Sequence, residues 1–80
     1  MTSLTKILVE LRKLVLIEKI YYEMAETPSR RLRLCRYAMR TLTQAHLLAI
    51  KSPDCDLEDL QELADLAMAW SLRSRINALN

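Results

Sequence analysis

The scarcity of residues that interrupt helices is the feature that most constrains this chain. It contains no glycine and only two prolines, Pro28 and Pro53. Glycine readily adopts positive φ, and proline inside a helix removes a hydrogen bond and breaks it. The chain can therefore change direction easily only near the two prolines. The sequence predicts three long segments that are joined by two short turns.

Each segment has the apolar spacing of an amphipathic helix, with apolar residues recurring every three or four positions. Thr27 before Pro28 has the pattern of an N-cap followed by a proline in the first turn. Pro53 disfavours helical geometry in the residue before it, and Asp56 is a good N-cap for the segment that follows. We predict helices at about 3–26, 28–51 and 56–78, the first capped by Thr2 or Ser3.

Short turns between helices of similar length favour an all-α fold, a three-helix up-down-up bundle in a single domain, 1–80. The second helix is apolar over more than half of its circumference, which implies two neighbours. Small residues on the second and third helices predict that these two form a close-packed antiparallel hairpin. They are Ala38, Ala45, Ala49, Ala64, Ala67, Ser71, Ser74 and Ala78. A competing arrangement keeps this hairpin and swings the first helix out, about a hinge at residues 25–28, to pair with another chain.

Composition excludes several classes of protein. A chain that is 51% hydrophobic and 28% charged is too apolar to remain disordered. Its longest apolar runs are far shorter than the ~20 residues of a membrane span, and its first residues lack the apolar block of a signal peptide. If residues 35–50 are helical, about 22 Å of helix separates Cys35 from the turn that carries Cys55. A disulfide is then excluded, and reduced thiols indicate a cytoplasmic protein.

The residues that catalysis and metal binding require are scarce. The single histidine, His46, has no carboxylate at helical spacing that could orient it. His46, Cys35 and Cys55 include no close pair of the kind that zinc sites use. Glycine-rich phosphate loops are excluded because the chain has no glycine. The sequence therefore predicts no enzyme, no catalytic residue, no cofactor, no metal and no small-molecule substrate.

A second, narrower apolar stripe lies on the first helix, opposite its main one. Its members are Val9, Leu16 and Ile20. They are either scattered surface residues, which are common, or a contact with another chain. Together with the wide apolar arc of the second helix they exceed what a lone three-helix bundle can bury. We therefore predict a small protein-binding protein, an adaptor, cochaperone or inhibitor, whose partner is another protein or a second copy, and most simply a homodimer.

The second helix also carries three arginines on one side, Arg33, Arg36 and Arg40. Residues that contact a nucleic-acid backbone project in this way, so a nucleic-acid-binding module is the alternative function. Ten acidic residues and a net charge of only +2 argue against it. Nucleic acid is therefore the less favoured partner.

An up-down-up bundle would place most arginines and all the aromatic residues at one end and many acidic residues at the other. The aromatic residues are Tyr21, Tyr22, Tyr37 and Trp70. Either they close one end of the core while arginines pair with nearby glutamates, or they form a recognition surface with the arginines. Glu18 falls within the main apolar stripe of the first helix, so its carboxylate must find a partner. An arginine is the expected one.

Overall fold

The computed structural model describes residues 4–79. It consists of three α-helices, α1 (Leu4–Met24), α2 (Pro28–Lys51) and α3 (Leu57–Ala78), and the described residues contain no strand. The predicted all-α, three-helix fold is confirmed. The proposed caps Thr2 and Ser3 lie outside the described residues. None of the three described helices is both long enough and apolar enough to cross a membrane.

The starts of α2 and α3 have the caps that the sequence predicts. Thr27 Oγ1 accepts a hydrogen bond from the backbone N–H of Arg30 at 3.2 Å, and Pro28 occupies the first turn. At the start of α3, Asp56 Oδ1 accepts from the Asp59 N–H at 2.9 Å, and Asp59 Oδ2 accepts from the Asp56 N–H at 3.4 Å. This reciprocal capping box satisfies two backbone donors and fixes where α3 begins.

The central helix of the bundle is α2, which packs against both α1 and α3. Within the described residues, no Cα atom of α1 comes within 8 Å of one of α3. The Cα atoms span 42 × 22 × 14 Å, and three helices side by side at 8–10 Å spacing occupy about 22 Å. The bundle is therefore flattened. Each outer helix has one close neighbour and keeps a broad outward surface.

The core lies along α2 and is built largely of small residues. Its members are Val15, Cys35, Ala38, Leu42, Ala45, Ala49, Leu63 and Trp70. The alanines of α2 allow the hairpin with α3 to pack closely, as predicted. The predicted small face of α3 is wrong at Ser71 and Ala78, which are exposed. The buried line of α3 instead follows Leu63, Trp70 and Asn77, each seven residues after the last.

The turn between α1 and α2 is held by a side chain. Arg31 Nε donates a hydrogen bond to the carbonyl oxygen of Ala25 at 3.2 Å, which satisfies a backbone acceptor beyond the end of α1. Ala25 itself is buried. With this turn closed, α1 packs on the α2 helix of its own chain. The competing arrangement with a swung-out α1 is not the one the structure adopts.

Candidate protein-interaction surfaces

A large group of exposed apolar residues lies on α1. We call it the outer face of α1, and it comprises Val9, Leu14, Leu16, Ile17, Ile20, Tyr21 and Met24. It is not confined to the side away from α2, because Val9 lines a cavity with Ala49 of α2, and Tyr21 and Met24 line another with Leu34. The three residues singled out from the sequence all belong to it: Val9 is 44% exposed, Leu16 60% and Ile20 56%. The opposite side of α1 buries Val15. Both sides of α1 are thus apolar, but only one is covered within the chain.

The apolar residues of this face expose a large area to water. At about 100 Å² for each half-exposed side chain the seven residues expose roughly 700 Å² in total. The exposed ion pair between Glu10 and Lys13 lies among them and divides this area. It stays uncovered because the described backbone of α1 comes close only to that of α2. Water contact with so much apolar surface is unfavourable, so burying the face against another chain would be favourable.

The arginines of α2 form a row that points into solvent. Arg33, Arg36 and Arg40, which we call the arginine ridge, are all exposed. None of the three makes a hydrogen bond or an ion pair through its side chain with the described residues. Three large apolar residues of α2 are exposed, namely Tyr37, Leu47 and Ile50, of which only Leu47 and Ile50 are close enough in sequence to be neighbours on the helix. The excess apolar surface expected on α2 is therefore small.

A second apolar surface, which was not predicted, lies on α3. Met68, Leu72, Ile76 and Leu79, which we call the outer row of α3, are all more than half exposed. The sequence pattern did not lead us to predict a surface formed by Met68, Leu72 and Ile76. Their spacing of four residues carried the signal. The row was missed because α3 was treated as having one apolar side.

A cluster of four side chains joins α1 to α3 at the end of the bundle that holds most arginines. The rings of Tyr22 and Trp70 meet edge to face, with centroids 5.6 Å apart and planes at 84°. The guanidinium carbon of Arg73 lies 4.6 Å from the Trp70 ring centroid. Asn77 Nδ2 donates to the Tyr22 hydroxyl at 2.7 Å and to the Arg73 carbonyl at 2.8 Å. The cluster closes this end of the core.

This cluster contains only two of the four aromatic residues that were predicted to lie together. Trp70 is 1% exposed and Tyr22 is half-buried, so these two rings are structural. Tyr21 and Tyr37 are exposed and remain available to a partner. Asn77, a buried polar residue, was not found from the sequence, because nothing in the pattern separates it from an exposed asparagine near a helix end.

Glu18 is partly buried between α1 and α2, but its partner is not an arginine. Its Oε1 lies 3.5 Å from Thr41 Oγ1, and its Oε2 is buried without a hydrogen-bond partner. The Thr41 hydroxyl is also 2.9 Å from the Tyr37 carbonyl oxygen, the better acceptor for its single proton. Burial raises the pKa of Glu18, and the Thr41 hydrogen bond only partly offsets this. The predicted arginine partner is wrong because the nearby arginines point outward.

At the acidic end of the bundle, Arg12 joins α1 to α3. Its guanidinium pairs with Glu62 and lies 3.6 Å from an Asp59 carboxylate oxygen. An open cavity beside it is lined by Leu8, Cys55 and Leu63, among others. Burial, followed by the charges of Asp59 and Asp56, raises the pKa of Cys55 despite the opposing effect of Arg12. The thiol is therefore protonated at neutral pH and a poor nucleophile.

Cys35 and His46 are the remaining residues that could take part in catalysis or metal binding, and they do not form a common site. Cys35 is buried, and burial raises the pKa of its thiol more than nearby Arg73 lowers it. His46 is exposed on α2. Neither cysteine is in a disulfide, and among the described residues no group of three or more histidine, cysteine or acidic side chains is arranged to hold a metal ion.

Comparison of the chain with protein-family models, with curated protein sequences and with solved structures found no match.

Proposed function

We propose that this protein is a non-enzymatic, cytoplasmic protein-interaction protein, an adaptor, cochaperone or inhibitor, that self-associates through the outer face of α1. The observation that supports the proposal is the exposed apolar surface formed by residues such as Leu16, Ile17 and Ile20, all about half exposed or more. A surface of this size on one helix is typical of a protein–protein contact. The proposal assigns the protein no catalytic residue, cofactor or metal.

A second copy is the simplest occupant of this face. An apolar patch can pair with itself about a two-fold axis, since each copy presents the same surface to the other. A domain of 80 residues also has a small core, so burying a second apolar surface would add appreciably to its stability. Other proteins that present an apolar helix face would compete for the same surface.

Light scattering coupled to gel filtration at micromolar concentration tests the contact. We expect the wild-type chain to have a mass above that of a monomer, and the double variant Val9→Lys/Leu16→Lys to have a smaller mass. Each lysine places a charge on the face that would have to be desolvated on association. The matched control is Leu47→Lys, which adds a charge at an equally exposed leucine of α2 and should leave the mass unchanged.

The proposal would be overturned if the wild-type chain is monomeric and the double variant is no more soluble or stable than the wild type. A double variant with the same mass as the wild type would also contradict the proposal, because association would then use another surface.

The arginine ridge supports a second candidate function, a nucleic-acid-binding module. The supporting observation is that Arg33, Arg36 and Arg40 are exposed on one side of α2, without side-chain partners among the described residues. Three cations in a row along one helix can follow a phosphate backbone. The acidic end of the bundle would be repelled by such a partner, so this candidate ranks second.

Retention on DNA or RNA at low salt tests this second function. We expect binding to fall steeply as salt rises, because counterions are released on binding, and to be lost when all three ridge arginines are replaced by alanine. The double variant Lys13→Ala/Lys19→Ala lowers the positive charge on α1 instead and should retain binding. A chain that is not retained at low salt has no such function.

A further inference from the structure

We propose that the outer row of α3 is a second, separate self-association surface, on which α3 of one copy packs antiparallel to α3 of another. The occupant is a second copy of this chain, held by apolar contacts and by two reciprocal ion pairs between Asp65 and Arg75. The inference goes beyond the α1 contact and does not depend on it.

The apolar part of the surface is a narrow row along one side of α3. At 100° per residue, Met68, Leu72 and Ile76 fall within about 80° of one another around the helix. Met68 is 71% exposed and Leu72 60%. Ser71 and Arg75 line a shallow surface depression with these two residues. In the pairing described below, Met68 and Leu72 form the apolar centre, and Ile76 lies level with Ala64 of the other copy.

The charges beside the row favour a second copy that packs antiparallel, in the register centred on residue 70. Asp65 and Arg75 each lie five positions from residue 70, and Met68 and Leu72 each lie two positions from it. An antiparallel pair centred on residue 70 therefore brings Asp65 of one copy level with Arg75 of the other, twice. It also brings Met68 level with Leu72. A parallel pair would place Asp65 beside Asp65 and Arg75 beside Arg75, which is repulsive.

Both charged groups are available for these pairs. Arg75 is exposed, and its guanidinium makes no hydrogen bond or ion pair with the described residues. Asp65 is exposed, and one of its carboxylate oxygens accepts a hydrogen bond from Gln61 Nε2 at 2.9 Å. That bond orients the carboxylate on the side of the helix that carries the row. The second oxygen has no hydrogen-bond partner among the described residues.

The two self-association surfaces lie on different outer helices, on either side of α2. A chain that uses both would assemble beyond a dimer, because each copy could contact one neighbour through α1 and another through α3. Removing either contact would leave a dimer, and removing both would leave a monomer.

Mass measurements on four forms of the full-length chain separate the two contacts. The forms are the wild type, Val9→Lys/Leu16→Lys, Leu72→Lys, and the combination of all three changes, with helix content followed by circular dichroism. We expect the wild type to form species larger than dimers. Val9→Lys/Leu16→Lys and Leu72→Lys should each form dimers, and the combined variant should be a monomer. A monomeric Val9→Lys/Leu16→Lys variant would overturn the α3 pairing alone. If the wild type and that variant are both dimers, with the same mass, the α1 contact is overturned instead.

A charge exchange tests the ion pairs in the Val9→Lys/Leu16→Lys background. Arg75→Asp should raise the dissociation constant of the dimer about tenfold, since Asp65 then faces an acidic residue. The double change Asp65→Arg/Arg75→Asp should restore it. If the double change is as weak as the single one, the proposed pairing is wrong.

Spin labels report the direction of packing in the same background, with Cys55 replaced by serine and Cys35 buried. In an antiparallel pair, labels at Ser71→Cys lie near the centre, about 3 Å apart along the axis, whereas labels at Gln61→Cys are about 27 Å apart. Similar short distances at both positions would show parallel packing and overturn the proposal.

Discussion

Glu18 carries a carboxylate oxygen, Oε2, that is buried without a hydrogen-bond partner, and burial raises the pKa of the group. A carboxyl group whose pKa is higher in the folded than in the unfolded state favours folding below its unfolded pKa. That contribution is lost as the pH rises through the folded-state pKa. We therefore expect Glu18→Gln to stabilise the protein at pH 7, by about 1 kcal/mol for a half-buried group. The gain should shrink to nothing in acid, where Glu18 is protonated.

Urea unfolding at fixed protein concentration, at neutral pH and in acid, measures both effects. Glu23→Gln is the matched control, because Glu23 lies on the same helix, is exposed and loses the same charge. It should change the free energy of unfolding by no more than about 0.5 kcal/mol at either pH. A Glu18→Gln variant that is less stable than wild type at pH 7 would show that the carboxylate is well solvated.

Between elements, the hydrogen bond from Asn77 to the Tyr22 hydroxyl joins α3 to α1, whose backbones do not approach each other. Tyr22→Phe removes the acceptor and leaves one N–H of a buried amide unsatisfied, so we expect a loss of about 1–2 kcal/mol. Tyr22→Phe combined with Asn77→Leu makes both positions apolar and should recover much of it. Unfolding of the two single variants and the double variant measures the coupling energy.

Tyr21→Phe is the control for this cycle, since Tyr21 is exposed and makes no hydrogen bond through its hydroxyl with the described residues. It should be neutral. Equal stability of Tyr22→Phe and Tyr21→Phe would mean that water replaces the lost acceptor and that the bond does not hold α1 to α3.

The elements themselves were predictable because they depend on local chemistry. Thr27 with Pro28, and Asp56 with Asp59, mark helix starts by rules that involve only a few neighbouring residues. Which side of α3 packs against α2 was not predictable in the same way. Apolar residues lie on two of its sides, and the side that is buried carries Leu63, Trp70 and Asn77. The partner of Glu18 was missed for a similar reason, since Thr41 approaches it only after α1 and α2 have packed.

The outer face of α1 was found from the sequence because Val9, Leu16 and Ile20 stand among charged residues, and the structure exposes all three. Its full extent follows from the arrangement of whole helices. Periodicity indicates that two sides of α1 are apolar, but only the flattened bundle leaves one of them without a neighbour. The arginine ridge was equally visible, since its spacing alone places it on one side of α2.

For the whole molecule, the two proposed contacts make stability depend on protein concentration. Folding and association are then linked, because each contact buries apolar surface that the lone chain leaves in water. For a small domain we expect the midpoint of thermal unfolding to rise by about 3–5 °C for each tenfold increase in concentration. Calorimetry over about a hundredfold range of concentration measures the slope. The variant with Val9→Lys, Leu16→Lys and Leu72→Lys should have a midpoint independent of concentration, and Leu47→Lys should keep the wild-type slope. A flat wild-type midpoint would contradict both contacts together, because a chain that buries these faces only on association cannot be equally stable at every concentration.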